Sequence, residues 1–398
     1  MTAGDWLATH GAELVALRRT LHAHPELGWR EHATTRLLVD RLRAAGLVPR
    51  VLDGGTRLVC DVGGGDVGGG DAGRRDVPVV ALRADLDALP LQDDKDVPYR
   101  SQVPGVCHAC GHDVHTAVVL GAGLVLAGRQ LPGRVRLLFQ PAEELMPGGA
   151  LSVLAQGALD GVGSIFGLHC DPTLEVGRIG LKAGPITAAA DVVEIRLTGP
   201  GGHTSRPHNT VDLVHALATV ATGLPDALSR LVDPRAGLCL VWGQVSAGGA
   251  ANAIPREGVL RGTLRVLDKA AWEAAPALVE RVVAGLVAVY GARAVVTYER
   301  GVPPVVNHAA STALLTEAVR RALGPGAGVP TTQSLGGEDF AWYLDGVPGA
   351  MARLGVRPPG AERSHDLHQG TFDVDEDAIG VGVRVLVETA LAALAAPG

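Results

Sequence analysis

Residues 107–113 read Cys-His-Ala-Cys-Gly-His-Asp, and residues 140–144 read Gln-Pro-Ala-Glu-Glu. One apolar helical stretch and one apolar strand separate the two clusters. Thiolate, imidazole and carboxylate gathered this densely describe a metal site carrying its own general base. Cys110 and His112 stand at i and i+2. Thiolate and imidazole are ligands that borderline-soft divalent metals prefer, and carboxylate completes a set suited to Zn²⁺ or Mn²⁺. The adjacent glutamates, Glu143 and Glu144, divide into two jobs. One carboxylate ligates while its neighbour takes a proton from the water that the metal acidifies. That is hydrolase chemistry.

The chain has 398 residues, enough for two or three domains with a large core. Its 35 basic and 42 acidic side chains give a net charge of −7 without blocks of like charge, which argues against nucleic-acid binding. Met1 to Glu13 lacks a basic segment followed by an apolar run, so no secretory signal is expected there. Apolar stretches such as Ala117 to Ala127 are about half the roughly 20 residues that span a bilayer, so no membrane partner is expected. The expectation is a soluble cytoplasmic protein. Five cysteines (Cys60, Cys107, Cys110, Cys170 and Cys239) do not make a disulfide framework in a chain of this length. Cys107 and Cys110 have the C-x-x-C spacing of redox sites and zinc knuckles. His108, His112, Asp113 and His115 crowd the same stretch, and no second C-x-x-C exists to close a four-cysteine site, so ligation is preferred over redox.

Leu14 to Leu42 carries two amphipathic helical patterns broken at His24-Pro25-Glu26-Leu27-Gly28. Strands are predicted at Leu58–Val62 and Val79–Arg83, joined through Gly63–Asp76, a Gly- and Asp-rich tract that reads as a long mobile hairpin tip. Helix His112–Ala127, strand Arg134–Gln140, helix Gly149–Gly157 and strand Gly163–His169 then alternate, as in a βαβ sheet. From about Ala188 the order becomes strand Asp191–Thr198, helix Val211–Leu224, strands Leu238–Val245 and Gly258–Val266, helix Ala271–Tyr290 and strand Ala294–Tyr298. This is the ferredoxin-like split unit. After Pro304 come helix Ser311–Leu323, a helix near Glu338–Leu344, strand Ala350–Gly355 and helix Glu376–Ala396. A small α+β domain, 188–300, is therefore inserted into a larger α/β domain made of 1–187 and 301–398.

Open α/β sheets deliver functional residues at the carboxyl ends of their strands. Asp85 and Asp87 follow strand Val79–Arg83, Glu143 and Glu144 follow strand Arg134–Gln140, and His169 ends its own strand. A lone histidine is more often a satisfied core group, but three strand ends converging on one edge favour a functional His169. Asp85 and Asp87 either cap the next turn or orient a ligand. Gly199-Pro200-Gly201-Gly202-His203 makes a tight turn or lets backbone approach a ligand. Ser334 to Phe340 suits a helix start with acidic first-turn residues. His365 reads as a surface residue.

Taken together, these residues resemble the aminoacylase/carboxypeptidase superfamily of two-metal metallopeptidases. They are most similar to its amidohydrolase branch of hippurate hydrolases, auxin–amino acid conjugate hydrolases and N-acyl-amino acid aminoacylases. The resemblance runs through His24–Gly28, Arg83–Pro90, His108–Asp113, Gln140–Glu144, Gly201–His203, Asn252–Pro255, Gly262–Arg265, Gly337–Phe340 and Leu367–His368, in order and over nearly the whole chain. It implies an α/β metallopeptidase-type catalytic domain, with a mixed sheet flanked by helices, and a ferredoxin-like lid and dimerisation domain. It implies two divalent metal ions per subunit (Zn or Mn, with Co or Ni as in-vitro substitutes) on Cys110, His112, Glu144, His169 and His368. Glu143 takes the general-base position. His203 takes the place of the lid histidine that, in family dimers, reaches the opposite subunit's active site, so a homodimer is implied. Asn252 falls where family members contact substrate.

Three departures stand out. Cys107 replaces a common Met. Gln369-Gly370 replaces Ser/Asn-Pro and is expected to loosen the loop carrying His368. Thr204-Ser205-Arg206-Pro207-His208 replaces small or hydrophobic residues. The implied activity is hydrolysis of the amide bond of small N-acyl amino acids. The alternatives are a di- or carboxypeptidase of the same superfamily and a silent binding protein on this fold.

Overall fold

The computed structural model describes residues 1–64, 77–361 and 365–396. The chain divides into two compact units. One is Met1–Gly184 with Val306–Thr332 and Asp339–Gly398; the other is Pro185–Val305 with Gln333–Glu338. The stretch 333–338, which the sequence pattern left with the larger domain, belongs to the smaller unit.

The larger unit is built on an eight-stranded sheet. Its order is Arg50–Val51, Leu58–Gly63, Arg134–Gln140, Val79–Asp85, Ser164–Glu175, Gly349–Arg357, Ile179–Leu181 and Gly328–Pro330. The four strands from Arg134–Gln140 to Gly349–Arg357 run parallel. Every residue of Val79–Asp85 is buried, as expected of a central parallel strand covered on both faces. The hairpin expected between Leu58–Val62 and Val79–Arg83 is not formed, because Arg134–Gln140 lies between those strands and pairs with both. The proposed hairpin tip falls mostly on residues 65–76, outside the described residues.

Helix His112–Ala127 is apolar on nearly every side, so it must be enclosed on nearly every side. It packs among helices Ala3–Ala23 and Asp377–Ala395 and the sheet. Two glycines permit that closeness. A methyl group at Gly121 would meet Leu14 at 2.6 Å and Val383 at 2.7 Å, and one at Gly123 would meet Leu137 at 2.2 Å. Helix Asp377–Ala395 is 19 residues long with a mean hydropathy of 1.8, long and apolar enough to cross a membrane, contrary to the sequence reading. In this structure more than half of that apolar stretch is buried inside the protein. Its Ile379, Val383, Leu386 and Ala390 join the core. The helix expected near Glu338–Leu344 is a 3₁₀ segment, Asp339–Asp345.

The smaller unit has a four-stranded antiparallel sheet ordered Cys239–Ala247, Glu257–Val266, Ala189–Thr198, Arg293–Val302. Helices Leu213–Leu231 and Lys269–Ala288 pack on it, giving the split β-α-β-β-α-β arrangement. Burial alternates strictly along Ala189–Thr198, as in a sheet with one covered face. A separate two-stranded ribbon pairs Gly202–His203 with Ala253–Ile254.

Candidate metal centre

Register brings the expected residues to one level of the sheet. Asp85, the last residue of its strand, lies opposite Gln140, the last of its parallel neighbour. On the other side Arg83 lies opposite Gly167, so His169 stands level with Asp85. His169 does not end its strand, which runs on to Glu175; it is the neighbouring strand that stops. Gly111, at φ 85°, starts helix His112–Ala127, and its missing Cβ leaves room for the Cys170 thiol, 2.7 Å from where a methyl would sit. That close approach sets Cys110 against the strand bearing His169.

The ligating atoms of Cys110, His112 and His169 lie within 4.8 Å of one another, as do those of Cys110, Glu144 and His368, and of His112, Glu143 and Glu144. Cys110 is common to the first two groups. A metal is tested by what the histidines leave free. His112 Nδ1 donates to Asp87 Oδ1 at 3.2 Å, and its buried Nε2 has no hydrogen-bond partner. His169 Nδ1 donates to the Cys170 carbonyl at 2.8 Å, leaving Nε2 toward Cys110 Sγ at 3.6 Å. Fixing Nδ1–H against an oxygen so that Nε2 presents a lone pair is how proteins prepare histidine for a metal. Burial, and then the Glu144 carboxylate, push the Cys110 thiol well above its usual range, so a thiolate there calls for a cation. Burial opposes charge on His112, yet the Asp85 and Asp87 carboxylates outweigh it and raise its pKa well above the usual value. Burial and then Arg353 hold His169 well below it. The residues fit divalent metal.

Asp85, His112 and His115 also cluster, but their partners are protein groups. His115 Nδ1 donates to Asp85 Oδ1 at 2.6 Å and its Nε2 accepts the Cys170 N–H at 2.8 Å. Asp85 also pairs with Arg83 at 2.6 Å. Neither aspartate caps the turn that follows its own strand. Asp87 accepts the backbone N–H groups of both Glu143 and Glu144, each at 3.0 Å, besides His112.

The glutamate turn has a second clamp that the sequence did not reveal. Ala142 takes φ 52°, in the left-handed region, and its N–H donates to the fully buried Glu31 carboxyl at 2.8 Å. Burial, with Asp87 nearby, pushes the Glu31 pKa up to about 8. Glu31 lies three residues beyond the His24–Gly28 motif, but a contact across 111 positions has no local signal. Arg18 and His22 are similar cases, both paired with buried Asp113, at 2.8 and 2.7 Å.

His368 is half exposed, with Nε2 3.2 Å from Glu144 Oε1. Its loop is tied to neighbouring backbone at two points. The His368 N–H donates to the Ala109 carbonyl at 2.8 Å, and Asp94 N–H donates to the Gly370 carbonyl at 2.9 Å. His365 is exposed and pairs with Thr371. In the smaller unit His203 is exposed, and its Nδ1 accepts from the Ser205 N–H and hydroxyl at 3.1 and 2.9 Å, which leaves Nε2 as the donor. Asn252 joins the same ribbon, its carbonyl accepting the Thr204 N–H at 3.3 Å. All five cysteines are free thiols.

The chain is 50% identical over 375 residues to a Rhodococcus jostii protein described as a putative glutamate–cysteine ligase; the match takes in 94% of this chain but only 46% of that protein. It is 38% identical to an N-acetylcysteine deacetylase of Bacillus subtilis, over 96% of this chain and 97% of that one. A solved Bacillus subtilis structure, described as a dinuclear metal binding peptidase from the M20 family, superposes with a TM-score of 0.84 at 35% identity, covering 97% of this chain and 99% of that one. The family pattern described as peptidase family M20/M25/M40 matches residues 81–392. The chain belongs to peptidase family M20/M25/M40.

Proposed function

We propose that this protein hydrolyses the amide bond of N-acyl amino acids, N-acetylcysteine among the first to test. The observation that carries the reading is the pair of Nε2 lone pairs on His112 and His169 directed at Cys110, with Glu143 alongside. Cys110, His112, Glu144, His169 and His368 would hold two divalent metals, Zn or Mn. When bound, these would supply Lewis acidity to the scissile carbonyl and lower the pKa of water. Glu143 would take the proton of the attacking water and deliver it to the leaving amine nitrogen. Its backbone is clamped through Asp87, so the carboxylate is aimed before substrate arrives. His203, with Nε2–H as donor, would stabilise negative charge developing on the carbonyl oxygen.

That role for His203 would call for a homodimer. Strand Cys239–Ala247 is a sheet edge whose Val241 and Val245 are 59% and 63% exposed, a surface that a second copy would cover. Free thiols throughout suit a reducing cytoplasm.

The test is turnover of Zn- or Mn-loaded protein on N-acetyl, N-benzoyl and long-chain N-acyl amino acids, with unblocked dipeptides alongside. Cleavage of the N-acyl substrates, abolished by chelator and restored by metal, is expected. Cleavage confined to dipeptides with a free amino terminus would transfer the protein to the peptidase reading.

A further inference from the structure

Four arginines of the described residues are buried, and three have their charge or donors answered by protein oxygens. Arg18 pairs with Asp113, Asp373 and Glu376, and Arg83 with Asp85, Asp339 and Gln140. Arg57 donates to the Asp53 carbonyl and to Ser152. Arg353 is 8% exposed, and its guanidinium has no hydrogen-bond or ion-pair partner among the described residues. An arginine so largely buried is normally paired with a protein carboxylate, and the Arg353 nitrogens, which have no such partner, keep access to solvent and so to a ligand.

Its position says what the missing partner is for. Arg353 is in register with His169 on the parallel neighbouring strand and with Gly180 on the other side. Paired residues of adjacent strands stand about 4.8 Å apart and share a face. Ala350, Ala352, Leu354 and Val356 belong to the core, as do Phe166, Leu168 and Cys170. The intervening Arg353 and His169 therefore point to the opposite face together. Gly180 contributes no side chain to that row; a methyl there would lie 3.0 Å from the Arg353 Cβ.

We propose that Arg353 forms a carboxylate-binding subsite beside the metal centre and takes a carboxylate of the substrate. The guanidinium is a planar fork whose paired N–H donors match the two oxygens of a carboxylate. An N-acyl amino acid carries one at its α-carbon, and an acidic side chain supplies a second. The inference rests on the N-acyl amino acid reading.

Wild type, Arg353→Lys and Arg353→Met, each metal-loaded, are compared on N-acetyl-L-methionine, its α-carboxamide and N-acetyl-L-glutamate. Arg353→Met should lower kcat/KM on a carboxylate substrate by about 10- to 100-fold, the range for hydrogen bonds to a charged group, with Lys intermediate. Loss on both free acids but not on the carboxamide assigns the α-carboxylate; loss on N-acetylglutamate alone assigns the side-chain carboxylate. Equal loss on all three, or none, overturns the subsite. Melting temperature without substrate is the second readout. Removing a cation that has no protein partner should leave it nearly unchanged, and a marked fall would make Arg353 structural and overturn the proposal. If wild type cleaves none of the three, the proposed activity fails instead. Arg353 is then judged by thermal stabilisation: more by N-acetylmethionine than by its carboxamide in wild type, a difference absent from Arg353→Met, supports it. No such difference overturns it.

Discussion

At the residue scale the site rests on where two carboxylates send their backbones. Glu143 and Glu144 share the Asp87 clamp, so the different roles proposed for them would come from side-chain direction alone. Glu143→Gln should keep its metal but lose on the order of 10²- to 10⁴-fold in kcat, the usual worth of a general base. Glu144→Ala should lose metal instead, and equal metal content in the two variants would undo the division. Glu31 offers a pH test. Its carboxyl ionises near the usual 4.5 in the unfolded chain and near 8 in the folded one. Between those values rising pH favours the unfolded chain, because only there is the charge solvated. Glu31→Gln keeps the acceptor for Ala142 N–H but cannot ionise, so its stability advantage over wild type should grow from pH 4.5 to 8 and then level off. Denaturant midpoints across that range measure it. Glu31→Ala removes the acceptor from a strained turn and should lower kcat by at least about tenfold with KM unchanged, a misaimed base costing up to 10²-fold. Unaltered kcat in Glu31→Ala would show that Ala142 holds the turn unaided.

Elements are positioned by fit as much as by propensity. Replacing a helical glycine with alanine ordinarily stabilises by about 0.5–1 kcal/mol. Gly285, exposed in helix Lys269–Ala288 with nothing within 4 Å of a new methyl, should behave that way. Gly123 should show the opposite sign. Its methyl would strike the buried Leu137 side chain at 2.2 Å, and overpacking costs about 1–3 kcal/mol. Thermal melts of Gly285→Ala and Gly123→Ala should move in opposite directions, and a stabilised Gly123→Ala would show that the helix–sheet seam can relax. Helix Leu213–Leu231 carries the same lesson. Pro225 made Leu224 a natural stopping point, yet the helix continues because Leu228 extends the buried stripe of Leu213, Leu217, Val220 and Leu224. Buried apolar area outweighed one lost backbone hydrogen bond.

At the scale of the molecule the open question is how many chains one active site needs. Glu143→Ala and His203→Ala chains, each expected to be inactive alone, should regain activity after subunit exchange if His203 serves its partner's metals. Random pairing of equal amounts in a twofold dimer gives about a quarter of wild-type activity, since only mixed dimers have an intact site and each has one. Verified heterodimers without activity would confine His203 to its own chain or remove it from the reaction.

The sequence by itself determined the chemistry and the order of the elements. Ligand types, the adjacent glutamates and the hydrophobic periods are local properties, and Cys110, His112, Glu143 and Glu144 were legible for that reason. It also marked the change from α/β to split α+β near Ala188. Tertiary structure decided which strands became neighbours, placing Arg134–Gln140 between two strands that sequence alone joined as a hairpin. It decided that Asp85 orients a histidine and that Asp87 holds the distant glutamate turn, rather than the turn after their own strand. It brought Glu31 to Ala142, Arg18 to Asp113 and Arg353 to the side of His169. Those pairings span tens to hundreds of positions and are fixed by sheet register and burial. No local pattern encodes them, because a buried charge and a surface charge look alike in a sequence until the core closes around one of them.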